Sequence, residues 1–402
     1  MGKKGFFFIL FLIIFSFAGI ISAIVFFYKL RPEEPVPEKE FLFKKLTREE
    51  AALIVDRGST ESLKKALSKS LIYLGSLRDG ELLSWGNGKV EAWKFKKSLL
   101  SFYNLLEKDL SSQEFQEEFL KNFNVYKVGQ TLVTGYFQPE LNASKKPDSR
   151  YPYPLYGIPG DLVRIRLSDF DSSLPARTLW GRVEGNRFIP YYSRKKIDTG
   201  DASIDAPVLA WLSSPVDGLM LHIQGSGILR FEDGSKGFIH YAANNGRLYG
   251  SMGKWLIKKG YLASHEADWP GIRAWADKNP GLFQESLISN PRYIFFKWEK
   301  QGPIGEIGQV IVPYRSVALD EGVFPKGGLF FLTTHLPTPD VNKASAKDFS
   351  SFVLFQDVGS AIKGVKRLDL YCGSGEEAGY VAGRLKAEGS LYLFMLKGLE
   401  PE

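Results

Sequence analysis

Residues 5–28 carry no charged side chain. As a helix rising 1.5 Å per residue this run would be about 36 Å long, enough to cross a bilayer core with some tilt. A cleaved leader has a shorter apolar core and a small-x-small exit, which Ile21-Ser22-Ala23 matches poorly, so the pattern predicts an uncleaved transmembrane anchor. Residues 31–40, RPEEPVPEKE, follow as a stiff, solvated spacer. Leu63, Leu67, Leu71, Leu74 and Leu77 then recur at helical spacing. Thr47 with Glu50 and Ser111 with Glu114 read as capping boxes, so two to four amphipathic helices are expected between residues 46 and 121.

After Val125 the period changes. Thr131–Phe137 alternates like a strand, and a stretch follows in which Tyr136, Tyr151, Tyr153 and Tyr156 interleave with five prolines. Such a backbone with exposed rings suits a sugar-lined groove and equally suits an ordinary packed loop. Residues 179–192 read as a hairpin about Glu184-Gly185-Asn186. Leu219–Gly227, LMLHIQGSG, reads as a buried strand running into a polar end, where Gln224, Gly225 and Ser226 offer side-chain and backbone groups to a ligand. Helical spacing returns from Met252 to Leu287, Tyr293–Trp298 reads as a strand, and β runs dominate to Leu396. Without regular βα alternation, the body is expected to be mainly β with helical additions, an α+β fold.

Lys+Arg 52 against Asp+Glu 45 leaves a mild excess of +7, suited to an anionic polymer or surface, but no basic block is dense enough for nucleic acid. The single cysteine, Cys372, excludes a disulfide scaffold. His222, His240, His265 and His335 lack metal-ligand spacing, so neither metal nor cofactor is expected. Lys3 and Lys4 precede the apolar run, and the N-terminus is placed in the cytoplasm with the body outside.

Candidate chemistry gathers in residues 355–379, FQDVGSAIKGVKRLDLYCGSGEEAG. Asp357 and Asp369 sit at the edges of apolar strands beside glycines, and a carboxylate so placed is costly unless paired or protonated. The GxGxxA pattern at Gly373–Ala378 has too little chain after it to build a nucleotide-binding half and reads as a turn into a helix. Asp357-Val-Gly-Ser360 is like one aspartic-protease loop, but that chemistry needs two.

TGYFQPE (134–140), YPYPLYG (151–157), LAWL (209–212), HIQGSG (222–227), YAANNGRLYGSMG (241–253), NPRYIFF (290–296), RSVALD (315–320) and DVGSAIKG (357–364) together resemble the membrane-bound lytic murein transglycosylase A family over roughly residues 95–397. The resemblance implies a double-psi β-barrel with an inserted second β-barrel. Its divisions would be the stub and anchor at 1–30, the spacer at 31–45, helices and first barrel part at 46–137, the insert at 138–296, and a three-aspartate module at 297–402. It implies cleavage of peptidoglycan glycan strands with 1,6-anhydro ring closure, Asp369 as acid/base and Asp357 as its partner. Thr134, Tyr136, Gln224, Gly225, Ser226, Asp320 and Lys363 would hold substrate. A hydrolytic glycosidase and a non-catalytic glycan-binding barrel are the alternatives. Lacking a lipid-modified cysteine, the chain is expected to face the periplasm from the inner membrane, where cell-wall synthesis or division proteins would be its partners.

Overall fold

The computed structural model describes residues 43–401 apart from 53, 79, 111, 172, 175–176, 268 and 339–345. The expected anchor and spacer lie outside these residues. Among the described residues no helix is long and apolar enough to cross a membrane.

Four helices precede the main sheets, at Arg48–Ala51, Thr60–Ser76, Ala92–Leu105 and Gln113–Asn122. The Thr47–Glu50 capping box forms reciprocally. The second cap is Ser112, whose hydroxyl accepts from Phe115 N at 3.1 Å, in place of the expected Ser111, which is not among the described residues. Apolar faces at helical spacing turn these helices onto the β body. Phe102, for example, meets Phe352 at 4.8 Å between ring centroids, and in this region aromatic residues fill the core.

Two sheets dominate. In chain order their strands are β1 (Phe123–Gln138), β2 (Glu140–Ser144), β3 (Tyr153–Tyr156), β4 (Val208–Leu212), β5 (Ser226–Phe231) and β6 (Lys236–Asn244). They continue with β7 (Ile294–Glu299), β8 (Ser316–Ala318), β9 (Leu329–Leu336), β10 (Lys347–Asp357), β11 (Arg367–Ser374) and β12 (Lys386–Leu396). The first sheet runs β1-β11-β8-β10-β9-β12 and closes through β12 back onto β1, a six-stranded barrel with Lys44–Lys45 added outside β1. Closure removes the exposed edges that an open sheet would present. The second sheet runs β7-β6-β5-β2-β4-β3, and an isolated bridge between Gly157 and Phe296 joins its two ends. The fold is mixed α/β with a closed six-stranded barrel.

The chain leaves the barrel after β1 and returns at β8, so the second sheet and its helices intervene between barrel strands. One expectation fails there. Leu219–Gln224 belongs to a helix, Pro215–Gln224, and only Ser226 begins a strand. Ser214 caps that helix by accepting from Val216 N, Pro215 suits its first turn, and Gly225 ends it at φ 77°. An apolar run covered on several sides carries no period that separates helix from strand.

The segment before the barrel is held by a buried ion pair. Arg315 donates to both Asp56 oxygens, at 2.6 and 3.1 Å, and also to Phe352 O, Ser59 O and Ser62 Oγ. Asp56 in turn accepts from Phe352 N and Gly58 N. This pairing compensates charges that would otherwise be stranded away from water.

Candidate active site

β1 and β11 run parallel, with Thr134 opposite Asp369 and Tyr136 opposite Tyr371. Residues paired across a ladder point to one face, so Asp369, Thr134, Tyr136 and Tyr371 share a face of the barrel. Thr134 Oγ1 donates to Asp369 Oδ1. The rings of Tyr136 and Tyr371 lie 5.3 Å apart. The Tyr136 hydroxyl donates to Asp357 Oδ2 at 2.9 Å. Asp357 closes the strand β10, and its other oxygen accepts from Val358 N at 2.9 Å and Glu306 N at 3.2 Å. Four residues expected at the site, Thr134, Tyr136, Asp357 and Asp369, are therefore together.

Backbone sterics make this proximity achievable. A Cβ on Gly135 would stand 2.8 Å from Ala382 Cα and 3.1 Å from Cys372 Sγ, so its absence lets helix Gly375–Arg384 lie flat on β1. Cys372 and Gly373 interrupt the β11 register, and Gly373 adopts φ 110°, bending the strand end. Cys372 is buried, and burial pushes its thiol up to about 12, which leaves it inert.

Burial also raises both acids. Asp369 is pushed up to about 6 by burial, with Arg367 opposing. Asp357 is likewise pushed up to about 6 by burial, against the pull of its Val358, Tyr136 and Glu306 donors. From sequence, Leu368, Leu370 and Asp357 would raise Asp369, and Lys363, Lys366 and Arg367 would lower it if they faced the site. Burial and Arg367 act in those directions, whereas Asp357 and the two lysines are not among the causes, and Lys363 turns to Asp320 at 3.5 Å.

Asp320 sits two residues past β8 and is occupied elsewhere. Gly364 N donates to it at 2.8 Å and Gly322 N at 3.1 Å. Burial raises its pKa, but these donors and Lys363 outweigh burial and hold it below the usual carboxylate value. Asp320 and Lys363 thus tie the loop after Asp357 to the turn after β8. Gln224 reaches the site from the second sheet's helix, its Oε1 accepting from Phe137 N at 3.2 Å. Gly225 is the helix end, and Ser226 is buried at the start of β5, opposite His240.

The Glu306 amide and the Tyr371 ring were missed from sequence. The former lies in a glycine-rich turn with no distinguishing pattern, while Tyr371 carried a signal in its i, i+2 spacing from Asp369.

Comparison with known proteins matches the "MltA specific insert domain" to residues 132–297 and the "3D domain" to residues 315–395. A "Membrane-bound lytic murein transglycosylase A" of Vibrio cholerae is 29% identical over 269 residues, 66% of each chain. Its namesake from Escherichia coli K12 is 32% identical over 259 residues, 63% of each. The matched stretch is thus under two thirds of either relative. The crystal structure of MltA from Neisseria gonorrhoeae, monoclinic form, superposes with a TM-score of 0.68 at 28% identity, covering 90% of this chain and 94% of that one. With both domains in order and the structural likeness running nearly end to end, the chain belongs to the membrane-bound lytic murein transglycosylase A family.

Proposed function

We propose that this chain cleaves the β-1,4 bond between N-acetylmuramic acid and N-acetylglucosamine of peptidoglycan and closes a 1,6-anhydro ring on the muramic acid, with Asp369 as the single acid/base. The observation that carries this reading is the unequal loading of the two acids. Burial raises both acids to about 6, so the distinction lies in their donors: Asp357 receives three, which suit a carboxylate, whereas Asp369 receives one hydroxyl. On that ground Asp369 is taken as the proton donor and Asp357 as the anion.

In this reading the Asp369 proton passes to the glycosidic oxygen as the bond from C1 breaks, and Asp357 supplies negative charge beside the cation-like sugar. The C6 hydroxyl of the same sugar attacks C1 and returns its proton to Asp369. No water is consumed and the acid is regenerated, so one carboxyl suffices for both steps. Thr134 orients Asp369, and Gln224 with the Gly225–Ser226 backbone borders the strand-binding side.

The barrel is read as the double-psi type, with residues 138–296 as an inserted second barrel, 46–137 and 297–402 as its flanking parts, and residues 1–45 as anchor and spacer. The uncharged run at 5–28 supports attachment to the inner membrane with the body in the periplasm.

Purified sacculi test the activity. Asp369→Asn is expected to fold and to release no anhydro-muropeptides, with a loss of at least about 10²-fold. Products one water heavier would reassign the enzyme as a hydrolase, and sacculus binding without any release would make it a binding barrel.

A further inference from the structure

The tyrosine-proline stretch takes no part in the site above, yet its residues 153–156 line a cavity of about 150 Å³ in the second sheet. At about 30 Å³ per water this is room for roughly five waters, enough for a substituent and one edge of a sugar ring. Tyr153, Tyr156 and Tyr293 supply aromatic wall, and Ile197, Leu212 and Leu287 supply apolar surface. Tyr153, 40% exposed, stands at its mouth.

Asp198, His222 and the amide of Gln284 also line it. Arg194, a donor only, contacts His222 Nδ1 at 2.5 Å, so that nitrogen must be the acceptor and the ring's proton sits on Nε2. Among the described residues no acceptor takes the Nε2 proton. Arg194 is otherwise committed to Asn290 O and Arg292 O, and its guanidinium lies 5.1 Å over the Tyr293 ring. Its approach to Asp198 is 3.6 Å, too long for a hydrogen bond, which leaves the carboxylate with acceptor capacity. Burial and the Arg194 charge both keep His222 neutral.

A donor, an acceptor and an apolar wall are what an acetamido group requires: its carbonyl for His222 Nε2–H, its N–H for Asp198, its methyl for the aliphatic side chains, with the Gln284 amide left for a ring hydroxyl. We infer that this cavity is an accessory pocket for an N-acetylhexosamine residue, separate from the candidate catalytic acids. His222 and Gln224 stand two residues apart on one helix, about 200° around its axis, so the pocket lies behind the helix whose other side reaches Phe137. The strand would thus be gripped at a second point away from the scissile bond. That peptidoglycan supplies the group rests on the reading above, whereas the chemistry of the cavity does not.

The test uses the full chain in detergent micelles and N,N′-diacetylchitobiose with a photoreactive diazirine on one acyl group, followed by mass spectrometry. Label is expected on peptides holding 151–156 or 284–293, displaced by unlabelled diacetylchitobiose and not by cellobiose. Asp198→Leu should lower it at least tenfold, as should Tyr153→Ala, a rim change that spares the interior. Label confined to peptides holding 134–138 or 357–371, displacement by cellobiose, or label undiminished in the Tyr153→Ala protein would overturn the inference. Sacculus digestion is scored in parallel. A labelled pocket without digestion sinks the activity and leaves the pocket standing, and digestion without pocket label does the reverse.

Discussion

Asp357 and Asp369 are both registered to Ala318, one on each flank of the short strand β8. Two strand spacings of about 4.8 Å place their backbones roughly 10 Å apart on one face. At that separation each carboxyl is tuned by its own surroundings, and their donors differ accordingly.

Removing the Tyr136 hydroxyl tests that tuning. Tyr136→Phe deletes one of three donors to Asp357 and leaves the ring against Tyr371. A hydrogen bond to a charged group contributes about 1.5–3 kcal/mol, so kcat is expected to fall roughly tenfold to a hundredfold with KM little changed.

Acidity gives a second prediction. The Asp369 carboxyl, pushed to about 6 when folded, would titrate near 3.9 in an unfolded chain. Between those values the native state holds a proton that the unfolded state has lost, so this group's contribution to stability is full below about pH 4, falls as pH rises, and is gone above about pH 6. Asp357, raised to the same value, adds an equal share, so urea unfolding across pH 4–7 should show that slope and Asp369→Asn should reduce it by about half. In the wild type the rate of anhydro-product release should decline above about pH 6, about tenfold per unit, because the protonated acid is what reacts.

The pair Arg315–Asp56 should be sensitive to removal of either partner alone. Arg315→Met strands a buried carboxylate and is expected to cost about 3–5 kcal/mol in urea unfolding. Adding Asp56→Leu should recover part of that loss, and failure to recover would show that packing of the guanidinium, not charge, is what matters.

Gly135→Val probes the close approach of helix Gly375–Arg384 to β1. Its Cβ would meet backbone at 2.8 Å, so overpacking of about 1–3 kcal/mol is expected. Thr134 would shift with the strand, and activity should drop further than stability alone explains.

Local chemistry was readable from the chain itself. The cap at Thr47, the turn at Gly185, and the acid Asp357 at the end of its apolar strand all depend on neighbours a few residues away. Where a local rule ran short, as in LMLHIQ, the apolar run had no period and the helix was misread as a strand. The tertiary structure alone decided which distant groups meet. Tyr136 reaches Asp357 across 221 positions, Arg315 reaches Asp56 across 259, and Gln224 reaches a backbone amide across 87. Strand register between such segments follows from barrel closure and packing, which no short window of residues contains. The donors that distinguish one carboxyl from the other exist only once that closure is made.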